Sequence, residues 1–196
     1  MPRRESPFLP GHYYHLYNRG HNRQAIFFEQ ANYVYFLRGI KRYLSGALDI
    51  IAYCLMPTHY HLLMRVKEPQ TEISASRAMQ KIIISYTKAI NHRFKRVGAL
   101  FQGQFQSKRV ADESYLVNLC VYIHANPVKD GLVVAPEDWD YSNYREWLGM
   151  RDGTMVDQAF IQEHFDTADQ YRALMADYLA TRRVPEVMRA HLQGLD

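Results

Sequence analysis

Residues 47–66, ALDIIAYCLMPTHYHLLMRV, constrain the fold of this chain more than any other stretch. The runs on either side of Pro57 are rich in β-branched, aromatic and apolar residues, which is typical of strands. Only a tight bend at residues 56–58 separates these two runs, so no helix fits between them. The stretch therefore predicts a β-hairpin and, with it, a mostly antiparallel sheet.

Strand and helix patterns alternate around this hairpin. A first strand is predicted before it, and a short fourth strand ends at residues 108–110. Helical periodicity marks three segments: residues 30–46, 73–98 and 112–127. We therefore predict an α+β fold, an antiparallel sheet packed by helices on one face. Two further helical patterns predict a C-terminal helical extension over residues 150–196.

The charge of the chain is unevenly distributed. Residues 73–111 contain no Asp or Glu but eight basic residues, whereas residues 150–196 contain eight acidic and five basic ones. One-sided positive charge is the electrostatic footprint of a nucleic-acid binder, and a solvated basic face is the alternative. We find no apolar run long enough to span a membrane and no secretory signal, and the two cysteines lack zinc-site spacing, so we expect a cytoplasmic protein.

His59 and His61 point to the same side of the third strand, because side chains alternate along a strand. Two imidazoles about 6 to 7 Å apart can converge on one metal ion, with a third ligand from another element. The alternative is an exposed sheet face that happens to bear two histidines. The basic segment that follows would bring phosphates to such a metal site.

Tyr86 lies in the middle of the long basic helix. It shares a helix face with five apolar residues: Met79, Ile82, Ile83, Ile90 and Val97. Tyr86 is therefore either a core aromatic or, if this face packs on the histidine side of the sheet, a nucleophile beside the metal. Arg77, Lys81 and Lys88 fall on the opposite side of the helix, where we expect contacts with a nucleic-acid backbone.

A histidine pair on a strand, followed by a tyrosine on a helix, resembles the HUH-type single-tyrosine transposases, with Tyr60 between the histidines. Other stretches resemble the subgroup associated with repetitive extragenic palindromes (REPs). They are YNRG at 17–20, SYTKAIN at 85–91, GALFQGQF at 98–105, YIHANPVKDGLV at 122–133 and WDYSNYREWLG at 139–149. Their order is the order of that subgroup.

The resemblance implies a ferredoxin-like catalytic domain over residues 1–149, often a homodimer, that cuts single-stranded DNA near hairpins with Mg²⁺ or Mn²⁺. It implies that His59 and His61 are metal ligands and that Tyr86 is the nucleophile, which joins the 5′ phosphate and leaves a free 3′ hydroxyl. Some relatives take a third ligand from a polar residue four positions after the tyrosine, which here is Ile90. Asn91 is then a DNA contact, a ligand on a distorted helix, or structural.

Further basic residues are candidates for contacts with DNA: Arg19, Arg93, Lys108 and Arg109. Asn126 is expected to be structural, with its side chain satisfying backbone groups at the end of a helix. Two other functions stay open. One is a DNA-hairpin-binding protein of the same fold that does not cleave. The other is a nickase of the replication-initiator or relaxase kind, which shares the histidine pair but not the other stretches.

Overall fold

Four strands form one antiparallel sheet in the computed structural model, which describes residues 8–68 and 72–193. They are β1 (Tyr13–Arg19), β2 (Leu48–Leu55), β3 (His59–Val66) and β4 (Gln106–Arg109). The order across the sheet is β2-β3-β1-β4. The predicted hairpin is therefore confirmed, and its second strand pairs with β1 in the middle of the sheet.

Two helices connect the strands. Helix α1 (Gln30–Leu44) links β1 to β2, and helix α2 (Glu72–Arg93) links β3 to β4. This β-α-β-β-α-β arrangement is the ferredoxin-like motif, so the predicted fold is confirmed. Five more helices follow: α3 (Leu116–Lys129), α4 (Tyr144–Trp147), α5 (Gln158–His164), α6 (Ala168–Thr181) and α7 (Glu186–Leu192).

Helices cover both faces of the sheet, which corrects the prediction of one covered face. Alternate residues of β3 point to opposite sides. Tyr60 and Leu62 join the core beneath α1 and α2. Leu63 joins a second core, which contains most of α3 together with residues of α4 to α7. His59 and His61 share the side of Leu63, so they face the second helical layer.

Helix α3 continues past the predicted end at Asn126 and Pro127 to Lys129. Proline has no N–H to donate to the carbonyl four residues earlier, that of Ile123. Asn126 Nδ2 donates to that carbonyl at 3.3 Å and to the Tyr122 carbonyl at 2.9 Å. The amide of Asn126 thus replaces the missing donor, which confirms a structural role for this side chain.

The C-terminal helices complete the second core. Asp157 accepts a hydrogen bond from Arg65 Nη2 at 2.9 Å, and its N–H donates to the Ile50 carbonyl at 3.1 Å. Tyr171 of α6 bonds through its hydroxyl to His124 Nδ1 of α3 at 2.7 Å. The helical extension is therefore part of the same packed body, and a domain boundary between residues 149 and 150 stays a prediction.

Cys54 and Cys120 are both buried and free, so no disulfide joins them. Among the described residues, no helix is long and apolar enough to cross a membrane.

His124 is completely buried inside the second core and predicts acid-sensitive stability. Its Nε2 donates to Asn143 Oδ1 at 2.8 Å, and burial lowers its pKa from 6.5 to about 4. Between these two values the unfolded chain binds a proton at this site and the folded chain does not. We therefore expect His124 alone to remove about 2 kcal/mol of folding stability when the pH falls from 7 to 5.

Urea unfolding of wild type and His124→Gln at both pH values measures this contribution. The variant should lose about 2 kcal/mol less stability over the interval than wild type does. An identical loss in the two proteins would show that His124 does not remain neutral in the folded state.

Candidate active site

The histidine pair lies on the side of β3 that turns away from α1 and α2. His59 is half-buried and His61 is 2% exposed, and the centres of their rings are 5.1 Å apart. Both line a cavity of about 270 Å³, and its other walls are Tyr17, Asn18, Arg19, Tyr60, Gln102, Gln104 and Gln106. The structure thus brings both imidazoles to one polar space at the ends of β1 and β3.

The Nδ1 atom of each imidazole is engaged within the protein. His59 Nδ1 lies 3.0 Å from Thr58 Oγ1, and His61 Nδ1 lies 3.0 Å from His15 Nε2. Such contacts fix the orientation of a histidine ring around its other nitrogen. Coordination of a metal by either ring would therefore use Nε2.

Helix α3 places a tyrosine and an amide beside the pair. The ring of Tyr122 packs edge-on against the ring of His61, with 6.0 Å between their centres. Asn126, about one helical turn further on, lines a second cavity of about 350 Å³ with His59. Because Asn126 Nδ2 is bonded to helix carbonyls, Oδ1 is the amide atom that can bind a ligand.

The structure contradicts the assignment of Tyr86 as the nucleophile. Tyr86 is 1% exposed and lies in the core on the opposite side of the sheet, where its ring packs against those of Phe27 and Phe36. Its hydroxyl donates to the Ile26 carbonyl at 2.6 Å, and burial raises its pKa far above the ordinary value. The helix face of Tyr86 does pack on the sheet, but on the side that Tyr60 occupies.

Asn91 lies five positions after Tyr86 on α2, the helix that packs on the side of the sheet opposite the histidines. Its Nδ2 donates to the Gly98 carbonyl at 2.9 Å, beyond the end of the helix. Of the three roles considered for Asn91, the structure supports the structural one and contradicts the role of third ligand.

The basic residues divide between the two faces. Arg19 lies opposite His59 where β1 pairs with β3, and it lines both cavities. Arg23 and Lys129 line the second cavity. Arg77, Lys81 and Lys88 are exposed on α2, on the far side of the sheet. Two more predicted contacts have partners within the protein, since Arg93 pairs with Glu29 at 3.3 Å and Arg109 bonds to His12 at 3.2 Å.

Lys108 has a different environment from the one predicted. Its Nζ donates to the carbonyls of His191 and Gln193, at 2.7 and 2.6 Å, at the end of α7. A cation at a helix C-terminus stabilises the carbonyls left unpaired there. Lys108 therefore holds the C-terminal helix instead of lining an open DNA channel.

The donor set fits a metal with open positions. Within residues 8–68 and 72–193, no cluster of three or more His, Cys, Asp or Glu side chains is suited to a metal. The imidazoles of His59 and His61 offer two nitrogen donors, and the amide of Asn126 offers an oxygen donor. Mg²⁺ and Mn²⁺ accept oxygen ligands and leave positions for water or phosphate.

A family comparison agrees with this geometry. Residues 9–126 match the model of the family Y1_Tnp, described as transposase IS200-like. The chain belongs to the IS200-like transposase family. The matched region contains all four residues of the candidate site: His59, His61, Tyr122 and Asn126.

Two known proteins are similar to this IS200-like transposase. A Haemophilus influenzae protein named as a REP-associated tyrosine transposase is 30% identical over 105 residues, which cover 49% of this chain. The match spans 58% of the length of that relative. A REP-associated tyrosine transposase solved with a REP hairpin covers 81% of this chain and 98% of its own, with 18% identity and a TM-score of 0.63. The resemblance to this subgroup is confirmed, and the structural likeness confirms the fold.

The sequence contains a spacing that singles out a second tyrosine, Tyr122. As noted above, some relatives take a third metal ligand from a polar residue four positions after the tyrosine. Tyr86 has Ile90 at that position, whereas Tyr122 has Asn126. Tyr122 also lies on a helix downstream of the histidine strand, as the resemblance requires, but the periodicity of that helix alone does not single it out.

Proposed function

We propose that this protein is a metal-dependent single-stranded DNA endonuclease and strand transferase that uses Tyr122 as its nucleophile. The observation that carries the proposal is the meeting of His59, His61, Tyr122 and Asn126 on one face of the sheet. A tyrosine can act as a nucleophile, and two imidazoles with an amide oxygen can hold a metal that activates a phosphate.

His59, His61 and Asn126 would hold the metal, Mg²⁺ or Mn²⁺. When bound, the metal supplies a positive charge that stabilises the phosphate and the departing oxygen. His15 contacts Nδ1 of His61 and Thr58 contacts Nδ1 of His59, and these contacts orient the two imidazoles. Asn126 serves two purposes in this proposal, because its Nδ2 bonds to helix carbonyls while its Oδ1 would bind the metal.

The reaction exchanges one phosphoester bond for another. Tyr122 Oη attacks phosphorus and loses its proton, a new bond joins Oη to the 5′ phosphate, and the bond from phosphorus to the 3′ oxygen breaks. The 3′ oxygen takes up a proton and departs as a free hydroxyl. Because the phosphotyrosine bond conserves the energy of the broken ester, a second 3′ hydroxyl can attack it and join two strands.

Cations around the second cavity would hold the DNA backbone. Arg19, Arg23 and Lys129 all line it, and Lys129 Nζ lies 4.1 Å from the centre of the Tyr122 ring. Fixed positive charge at this place stabilises the negative charge of the phosphate during transfer. In the first cavity, Gln102, Gln104 and Gln106 offer neutral amides for hydrogen bonds to exposed bases.

Tyr17 is the other tyrosine beside the pair and is the alternative nucleophile. It is half-buried, lines the first cavity and has its ring centre 6.3 Å from that of His61. We favour Tyr122 because Tyr17 precedes the histidines on β1 and has no amide beside it at the required spacing. A homodimer stays a prediction.

The substrate we propose is single-stranded DNA that carries a hairpin. The support is the REP hairpin held by the structurally similar transposase, together with the positive charge of the present site.

Incubation of the protein with end-labelled hairpin DNA and Mn²⁺ tests the proposed function. A 3′ label should appear in a denaturant-resistant protein–DNA adduct, because the tyrosine takes the downstream strand by its 5′ phosphate. A 5′ label should appear in a shorter free strand with an extendable 3′ hydroxyl. Chelation of the metal or His61→Ala should prevent both products. Tight binding of the hairpin without either product would instead identify a DNA-binding protein that does not cleave.

Two matched pairs of lysine and arginine variants test which face carries the DNA. We expect Arg23→Ala with Lys129→Ala to lower the slope of binding against salt concentration by about 1.4, the value for two lost contacts with a single strand. Lys81→Ala with Lys88→Ala removes the same charge from α2 and should change the slope little. Filter binding over a range of salt concentrations measures both, and the reverse result would place the DNA on α2.

A further inference from the structure

A row of buried imidazoles leads from the candidate metal ligand to the C-terminal helix. His61 Nδ1 lies 3.0 Å from His15 Nε2, and His15 Nδ1 lies 3.2 Å from His191 Nε2. His191 Nδ1 in turn lies 3.3 Å from the Tyr115 hydroxyl. His15, His61 and His191 are 0%, 2% and 7% exposed, so water does not compete for these bonds.

The hydrogen bonds of this row can run in only two directions. A neutral imidazole has one N–H and one acceptor nitrogen, so the tautomer of each ring fixes that of the next. If His61 keeps its proton on Nδ1, it donates to His15, His15 donates to His191, and His191 donates to Tyr115. In the opposite direction Tyr115 donates to His191, and His61 ends with its proton on Nε2.

Only the first direction leaves His61 able to bind a metal. A ring nitrogen that carries a proton has no lone pair for coordination. In the first direction His61 Nε2 presents its lone pair to the cavity that it shares with His59. In the second direction the same position carries a hydrogen.

The fold holds His191 firmly at its place in the row. Lys108 Nζ binds the carbonyl of His191 itself, and Met188, one turn earlier on α7, is fully buried. Burial lowers the pKa of His191 to about 4, with a further contribution from the charge of Lys108, so the ring is neutral at pH 7. A neutral His191 can accept a hydrogen bond at Nε2.

We propose that His191 is a positioning residue for the metal ligand His61. By accepting a hydrogen bond from His15 Nδ1, it keeps His61 in the tautomer whose Nε2 has a lone pair for the metal. A residue of the C-terminal helix thereby tunes a ligand 130 positions earlier in the chain, through His15. The inference rests on the proposed metal site, and it extends that site to α7.

Titration of the metal-free protein with Mn²⁺ alone, followed by the EPR signal of the free ion, tests the proposal without DNA. His191→Phe cannot accept the bond from His15 and should bind Mn²⁺ about 10- to 100-fold more weakly than wild type. His191→Gln offers Oε1 near the position of Nε2 and should restore most of the affinity. His191→Glu, an acceptor only when ionised, should bind at least as tightly as wild type.

Two controls separate positioning from packing. His164→Phe makes the same change elsewhere in the C-terminal region, at a ring that contacts Phe160 and lies outside the row, and should leave Mn²⁺ affinity unchanged. A buried Glu should destabilise the fold more than a Phe does, so a purely structural role predicts the reverse order of Mn²⁺ affinity. Tyr115→Phe, which keeps the ring shape, should give a smaller loss than His191→Phe.

The outcomes that overturn the inference are distinct from those that overturn the proposed function. If wild type binds Mn²⁺ and His191→Phe binds it equally well, the inference is wrong and the metal site stands. If wild type binds no Mn²⁺, the metal site is wrong and the inference fails with it. The order Glu, Gln, Phe in decreasing affinity, with His164→Phe unchanged, supports both.

Discussion

Tyr122→Phe is expected to abolish the covalent adduct with hairpin DNA, with a loss of roughly a thousandfold or more in the rate of cleavage. The substitution removes only the attacking oxygen. The phenyl ring keeps its edge-on contact with His61, 6.0 Å between centres, and its contact with the Lys129 amine. Fold, Mn²⁺ affinity and hairpin binding should therefore stay close to those of wild type.

Tyr17→Phe and Tyr86→Phe are the matched controls for this result. Each removes one hydroxyl from a tyrosine, the first beside the histidines and the second in the opposite core, and each should still form the adduct. An adduct that survives Tyr122→Phe and disappears in Tyr17→Phe would transfer the nucleophile to β1 and leave the metal site in place.

Tyr86→Ala is expected to lower the free energy of unfolding by about 3 to 5 kcal/mol, the range for removal of a large core aromatic. The ring fills the space between α2, Phe27 and Phe36, and its hydroxyl donates to the Ile26 carbonyl at 2.6 Å. Tyr86→Phe keeps the ring and loses one buried hydrogen bond, so it should cost about 1 kcal/mol. Urea unfolding at pH 7 measures both variants.

The yield of adduct per folded molecule should be the same in Tyr86→Phe as in wild type. Loss of the adduct at unchanged stability would mean that the hydroxyl of Tyr86 reaches DNA. Tyr86 would then have to leave its core position during catalysis.

The hairpin of β2 and β3 could be predicted because its sequence pattern fits no other kind of structure. Successive side chains of a strand point to opposite faces, so His59 and His61 had to share a face wherever β3 was placed. The bend at Pro57 required a hairpin, and the helices on either side of it required crossovers. The element types, the pairing of β2 with β3 and the shared side of the two histidines follow from these few constraints.

The prediction of Tyr86 as the nucleophile is wrong because helical periodicity does not say which face of a sheet a helix covers. Tyr86 does lie on the sheet-facing stripe of α2, as predicted. However, β3 offers Tyr60, Leu62 and Met64 on one side and the histidines on the other, and the apolar stripe packs on the apolar side. Helix α3 is apolar almost all round, because it lies between the sheet and the C-terminal helices, and its tyrosine therefore resembles a core residue.

The contact between His15 and His191 could not be predicted from the sequence. The two residues are 176 positions apart, and neither periodicity nor a motif links them. Each is a lone histidine in an otherwise ordinary segment. Only the packing of α7 against β1 and β4, secured by Lys108, brings them together.

Mapping the amino acid that carries DNA in the trapped adduct tests the central claim most directly. After nuclease trimming and digestion with trypsin, mass spectrometry should find a nucleotide on the peptide of residues 110–129. Because this peptide contains Tyr115 and Tyr122, fragmentation must place the phosphate, and we predict Tyr122. A nucleotide on the peptide of residues 82–88, which contains Tyr86, would contradict the account.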